Sequence, residues 1–201
     1  VSTGDCASFN FSYARDTSRE AVDENFRRAA GVFGTTSDAF VCSDQTHTTN
    51  IRRVEKEDAG KGVTKEKDYR DVDGLITNVP GLILGTFYAD CVPLLFVDPV
   101  HHAIGCSHSG WRGTVGEMGK KTVEAMREAY GSCPEDIFAA IGPSICQDCY
   151  EVGKDVAEPF EKLFSQERYQ DVSMKNILTE KVNGKYQLDL WRANEAILLG
   201  A

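Results

Sequence analysis

An α+β fold with mixed sheets, held in a single domain over residues 1–201, is what this sequence predicts, and three observations predict it. Long apolar, strand-like runs follow one another from Asp73: "GLIT", "GLILGTFYA", "VPLLFVD" and "AIGCSHS", with Pro, Gly and Asp between them. Helical patterns, "TSREAVDENFRRAA" and "TVGEMGKKTVEAMREAYG", stand on either side of this region. Helices and strands mix with hairpins and show no regular βαβ beat, which favours α+β over a doubly wound sheet. The length is enough to bury a core without disulfides or metals to stabilise it.

In chain order, Ala21, Val22, Phe26 and Ala29 fall at helical spacing behind a Thr17 or Ser18 cap, and Gly31 ends that helix. "AFVCSDQTHTTNIRRV" reads as two short strands, Ala39–Cys42 and Thr48–Val54, with His47 where loop meets strand. The charged "EKEDAGKGVTKEKDYRD" reads as an exposed loop. The runs from Asp73 are continuous rather than alternating, which predicts a sheet covered on both faces. One helix is expected from about Thr114 to a stop at Gly131. A strand in "IFAAIG", a helix in "KDVAEPFEKLFSQ", a short "YQLDL" strand and a last helix from Trp191 complete the order.

Composition narrows the function. A hydrophobic fraction of 41% and a charged fraction of 26% are ordinary for a globular chain. No apolar run approaches the roughly 18 residues of a membrane span. A formal charge of -9 argues against nucleic acid or an anionic membrane as partner, because that binding needs clustered cations. Seven scattered cysteines and no secretory signal predict a reducing, cytoplasmic setting. The chain starts on Val1 and stops inside a helical pattern, so both ends read as trimmed.

The chemistry gathers in "ADCVPLLFVDPVHHAIGCSHSGWRG", Ala89 to Gly113. If Asp98–His101 is a β-turn with Pro99 second, counting outward pairs Cys91 directly with His108. Such partners share a face and reach one metal ion or one substrate atom. The bland alternative is a buried cysteine and a hydrogen-bonded scaffold histidine. The "SGWRGT" that follows opens a helix N-terminus, where Arg112 with the Gly113 and Thr114 N–H groups would grip phosphate.

With "DQTH", "DGLIT", "ADCVPLLFVDP", "SHSGWRGT" and "IGPSICQDCYEVG" in that order, the sequence resembles the bacterial family first named laccase-domain or multicopper polyphenol oxidases. Its members are described as purine nucleoside phosphorylases with adenosine deaminase activity. The resemblance implies an α/β/β/α layered fold and a zinc or copper site of two histidines and one cysteine, here His47, Cys91 and His108. Two His and one Cys with an open position are a catalytic arrangement, able to acidify a water for attack on adenine C6. It also implies phosphorolysis of adenosine, inosine and methylthioadenosine. Asp90 and Asp73 are carboxylates placed to handle a proton or orient a ligand, unless they cap loops. Where relatives often carry Gly after the "QxH" histidine, this chain has Thr48.

Three other readings compete. A copper-dependent polyphenol oxidase needs further histidines for an oxygen-reducing cluster, and only His101 and His102 remain, both at the expected hairpin turn. A metal-free Cys91–His108 hydrolase or deamidase would not require His47. A zinc-stabilised scaffold would use the same three ligands without turnover. Cys146 and Cys149 make one CxxC, half a zinc site or a redox pair, and Cys149 and Tyr150 match the family motif and are candidates to line a pocket.

Overall fold

The computed structural model describes residues 2–15 and 18–201. Its elements are α1 (Arg19–Val32), β1 (Phe40–Cys42), β2 (Ile51–Arg53), β3 (Gly74–Thr77), β4 (Ile83–Gly85), β5 (Val92–Asp98), β6 (Ala103–Ser109), α2 (Trp111–Val115), α3 (Met118–Tyr130), β7 (Phe138–Ile141), β8 (Glu151–Val152), α4 (Lys154–Phe164), β9 (Leu178–Glu180), β10 (Tyr186–Leu188) and α5 (Leu190–Leu199), joined by loops and short 3-10 turns. Helices and mixed sheets make this an α+β protein. The chain divides into two compact units: 1–42 with 54–68 and 79–85, and 43–53 with 69–78 and 86–201.

In the first unit α1 buries Val22, Phe26 and Ala30 against Phe40, Cys42 and Val63. Its N-cap is Ser18, whose side chain accepts from the Ala21 N–H; Thr17, the other cap candidate, lies outside the described residues. The helix runs through Gly31 to Val32. The unit's two strands, β1 and β4, pair in parallel. The charged stretch expected as plain exposed loop is partly built in: Asp58 is buried and holds Lys61 at 2.7 Å, and Gly60 and Gly62 turn the chain at positive φ.

The second unit is organised on a five-stranded sheet of order β2-β3-β6-β5-β7, parallel at β2–β3 and antiparallel elsewhere. β8, β10 and β9 form a separate three-stranded antiparallel sheet. The core joins Ile76, Val92, Leu94 and Phe96 of the large sheet to Val123 and Met126 of α3, Phe160 of α4 and Ile197 of α5. Gly105 of β6 lets α3 come close: a Cβ there would sit 3.2 Å from Ile76 and 3.5 Å from the Met126 sulfur. β3 is buried throughout, as a doubly covered strand should be, but β5 alternates, leaving Leu95 and Val97 each 48% exposed. Continuous hydrophobicity therefore overstated the cover on β5.

Two local expectations are corrected. The β5–β6 hairpin pairs Asp98 with Ala103 and Pro93 with His108, so Cys91 does not face His108 directly. Asp98 is the cause: fully buried, it accepts from the N–H groups of Val100 and His101 and from the His101 ring. That cap, with His102 at φ 51, builds a four-residue loop where a two-residue turn was assumed. The helix expected from Thr114 to Tyr130 is two helices, since Glu117 at φ 59 breaks α2 from α3. Gly131 at φ 77 does end the second, as read.

Candidate metal centre

The register error is two residues, and that number decides the outcome. Strand side chains alternate with period two, so a shift of two keeps Cys91 on the His108 side and makes them diagonal neighbours. Cys91 stands just before β5, and His108 is the buried penultimate residue of β6. His47 arrives from the loop between β1 and β2. The ligand atoms of the three side chains all lie within 4.8 Å of one another, with Cys91 Sγ 4.0 Å from His47 Nε2. The two imidazole rings meet edge to face at 4.9 Å between centroids.

Asp73, at the edge of β3, explains why these side chains meet. It is fully buried and accepts hydrogen bonds from the N–H groups of Thr46, His47 and Thr48, from the Thr48 hydroxyl and from His108 Nδ1 at 2.8 Å. One carboxylate thus fixes the His47 loop and the His108 ring together. Burial raises the Asp73 carboxyl, but the bonds from His108, Thr48 and Thr46 outweigh it and hold it below its ordinary value. The loop needs this grip because His47 sits at φ 65, a left-handed conformation costly for a residue with a Cβ. Asp73, expected among the substrate-binding residues, is fully buried behind His47 and His108 in this structure.

His108 donates through Nδ1, so Nε2 is the nitrogen left for a metal. Its burial lowers its proton affinity against the opposing pull of Asp73, which favours the neutral imidazole a metal requires. Burial, then Asp90 and Asp73, push the Cys91 thiol up, the reverse of an activated free nucleophile. In a tetrahedral zinc site N and S ligand atoms lie roughly 3.3–3.8 Å apart. The present spacing reaches that with sub-ångström to ångström side-chain movements, and the donor set suits zinc or copper. His47, Cys91 and His108 therefore fit a metal with a position to spare.

Two further contacts, neither visible as a motif, keep the ligands together. Gln45 donates to the Phe87 carbonyl and accepts from the Phe87 N–H, both at 2.7 Å, tying the segment before Cys91 to the segment before His47. Gly110 leaves the room: a Cβ there would stand 2.8 Å from Cys91 Sγ and 3.2 Å from His47 Cδ2. Its φ of -70 suits alanine, so the backbone tolerates Gly110→Ala and the ligands do not. The expected result is metal affinity weakened about ten- to a hundredfold at near-normal melting temperature, read by competition with a chromogenic chelator.

The phosphate reading changes in part. α2 opens at Trp111 rather than Thr114, and the Thr114 N–H is already donated to the Gly110 carbonyl. The Thr114 hydroxyl joins a buried network with Ser109 and Asn194. Gly113 is buried, and a Cβ there would lie 3.3 Å from the His108 carbonyl oxygen. Of the two backbone groups expected to hold phosphate, the Thr114 N–H is therefore already engaged within the fold. Arg112 is exposed, its guanidinium 4.3 Å from the Trp111 ring centre. Asp90 is exposed beside Cys91, and the half-buried Tyr150 phenol feels Cys91, Arg112 and Asp90 together, its proton affinity raised chiefly by burial.

His101 and His102 lie at the opposite end of the hairpin, roughly 17 Å along the strand from His108 at about 3.4 Å per residue. His101 is engaged by Asp98. Among the described residues, the His47, Cys91 and His108 group is the only such cluster of three or more. Among them too, no helix is long and apolar enough to cross a membrane.

The model of the multi-copper polyphenol oxidoreductase laccase family matches residues 1–201. The chain is 37% identical over 179 residues to purine nucleoside phosphorylase YlmD of Bacillus subtilis, covering 89% of this chain and 62% of that protein. It is 36% identical to adenosine deaminase RL5, from an unknown prokaryotic organism, over 94% of this chain and 70% of that one. The crystal structure of YlmD from Geobacillus stearothermophilus superposes with a TM-score of 0.85 at 34% identity, covering 98% of this chain and 72% of that one. The chain belongs to the multi-copper polyphenol oxidoreductase laccase family.

Proposed function

We propose that this chain is a metal-dependent purine nucleoside enzyme that splits adenosine, inosine and methylthioadenosine with phosphate and also deaminates adenosine. The observation that carries the reading is the convergence of His47, Cys91 and His108 around one point under the control of Asp73. The relatives named purine nucleoside phosphorylase and adenosine deaminase support the substrate class. Because the chain spans only part of their length, the activity is assigned to it here as a proposal.

Zinc, or copper, bound at the three ligands supplies a Lewis acid with one position open to water or substrate. The chain's own residues do the rest. Asp73 holds His108 as the Nδ1–H tautomer and keeps the His47 loop in place. Asp90, exposed next to Cys91, is the carboxylate assigned to move a proton to the departing amine or base. Arg112 is assigned to phosphate, which its planar fork of N–H donors suits, and Tyr150 to the wall of the nucleoside site. Cytoplasmic location belongs to the same proposal, on seven cysteines scattered along the chain without the spacing of a disulfide framework.

The donor count weighs against multicopper oxidase chemistry, since His101 and His102 are too distant to add to this cluster. The test is incubation of metal-quantified protein with adenosine, with and without phosphate, separating adenine, inosine and hypoxanthine. Phosphate-dependent adenine supports phosphorolysis, and phosphate-independent inosine supports deamination. Metal-loaded protein that yields none of these overturns the reading.

A further inference from the structure

The CxxC at 146–149 is not consumed by the metal centre. Cys146 precedes and Cys149 ends a 3-10 turn closed by the Cys149 N–H on the Cys146 carbonyl at 3.1 Å. Residues i and i+3 of such a turn have Cα atoms within about 7 Å. A disulfide spans about 4.4–6.8 Å between Cα atoms, so the turn already has the span. It is also held from outside: Gln187 Nε2 donates to the carbonyls of Gln147 and Asp148 at 2.8 and 2.7 Å. Little chain entropy remains to be lost when the two sulfurs join.

The pair's other chemistry would be metal binding, but no third His, Cys or carboxylate joins it among the described residues. Both thiols are reachable, Cys149 exposed and Cys146 partly so. Most of the remaining thiols lack one requirement or the other. Cys42 and Cys106 are buried, and Cys133 is exposed but donates to its neighbour Glu135. The Cys149 proton is held chiefly by a hydrogen bond to Cys146, which is how two sulfurs in contact behave.

We propose that Cys146 and Cys149 are a reversible redox pair that closes to an intramolecular disulfide in exchange with small-molecule disulfides. One thiolate attacks the small disulfide, forming a mixed disulfide and releasing one small thiol. The second cysteine, as thiolate, displaces the other small thiol and leaves the protein disulfide. The protein dithiol is oxidised by two electrons, and the small disulfide is reduced to two thiols. The pair stands one residue from Tyr150, so a change of thiol state occurs beside the metal centre's charges. The inference stands whether or not the nucleoside reading does.

The test treats the metal-loaded chain with oxidised glutathione, blocks remaining thiols with iodoacetamide and maps peptides by mass spectrometry. In the wild type the 146–149 peptide is expected to lose its two thiol hydrogens, carry no glutathione, escape alkylation and recover both thiols in dithiothreitol. In Cys146→Ser and Cys149→Ser the surviving cysteine is expected to keep the glutathione adduct, because nothing displaces it. Cys133 serves as the internal standard for an exposed thiol with no second cysteine close in sequence. A wild-type peptide that keeps glutathione as stably as the single variants, or is alkylated at both cysteines after oxidation, overturns the proposal.

Discussion

Asp73→Asn is expected to lower metal affinity about 10- to 100-fold and to destabilise the fold by about 3 kcal/mol, although nothing changes at the three ligands. The carboxylate accepts from three backbone N–H groups, one hydroxyl and one imidazole. An amide keeps one acceptor oxygen and turns an NH2 toward donors, leaving buried N–H groups unpaired at about 1–3 kcal/mol each. The two carboxylate oxygens serve different partners, so the loss depends on which one the amide nitrogen replaces. Whichever oxygen the amide keeps, the His47 loop loses part of the support that holds φ at 65, and where the NH2 takes the Oδ1 place His108 also loses the partner that fixes its tautomer. Metal content by mass spectrometry and a thermal melt read the two effects. A melting temperature lower by roughly 6–12 °C is expected for a chain of this length. Unchanged metal retention and melting would remove Asp73 from its central place.

His47→Asn is expected to empty the centre and cut nucleoside turnover on the order of a thousandfold, since a Lewis acid supplies several kcal/mol of transition-state stabilisation. Asparagine is chosen because it tolerates the left-handed backbone, so the loss reports the ligand rather than added strain. Cys91→Ser gives the same outcome by replacing a soft sulfur with a weak hydroxyl donor. The two variants separate the metal reading from a Cys91–His108 thiol mechanism. Both need Cys91, and only the metal reading needs His47. A metal-free His47→Asn protein of full activity establishes the thiol route and sinks the metal centre.

Much of the fold was legible because local signals carried it. "VPLLFVD" and "AIGCSHS" became β5 and β6 residue for residue, and Gly131 stopped α3. What failed depended on local backbone conformations that apolar spacing does not encode. Asp98 capping its own loop moved the hairpin register, and Glu117 at positive φ split a helix whose apolar spacing reads as continuous. β8 and β9 were missed: two and three residues long, they carry too little periodicity to be read.

The sequence by itself determined which donors this protein owns: a histidine before β2, a cysteine before β5 and a histidine late in β6, with only two further histidines. Residue type fixes donor chemistry, and period-two alternation kept Cys91 and His108 on one side even when the register was misjudged. Only the tertiary structure decided that Asp73 is a buried clamp on His47 and His108, that Thr114 is committed to the core and that Gly110 is the space in which the ligands meet. Those roles follow from burial and hydrogen-bond partners supplied by distant segments, which no local pattern around Asp73, Thr114 or Gly110 encodes.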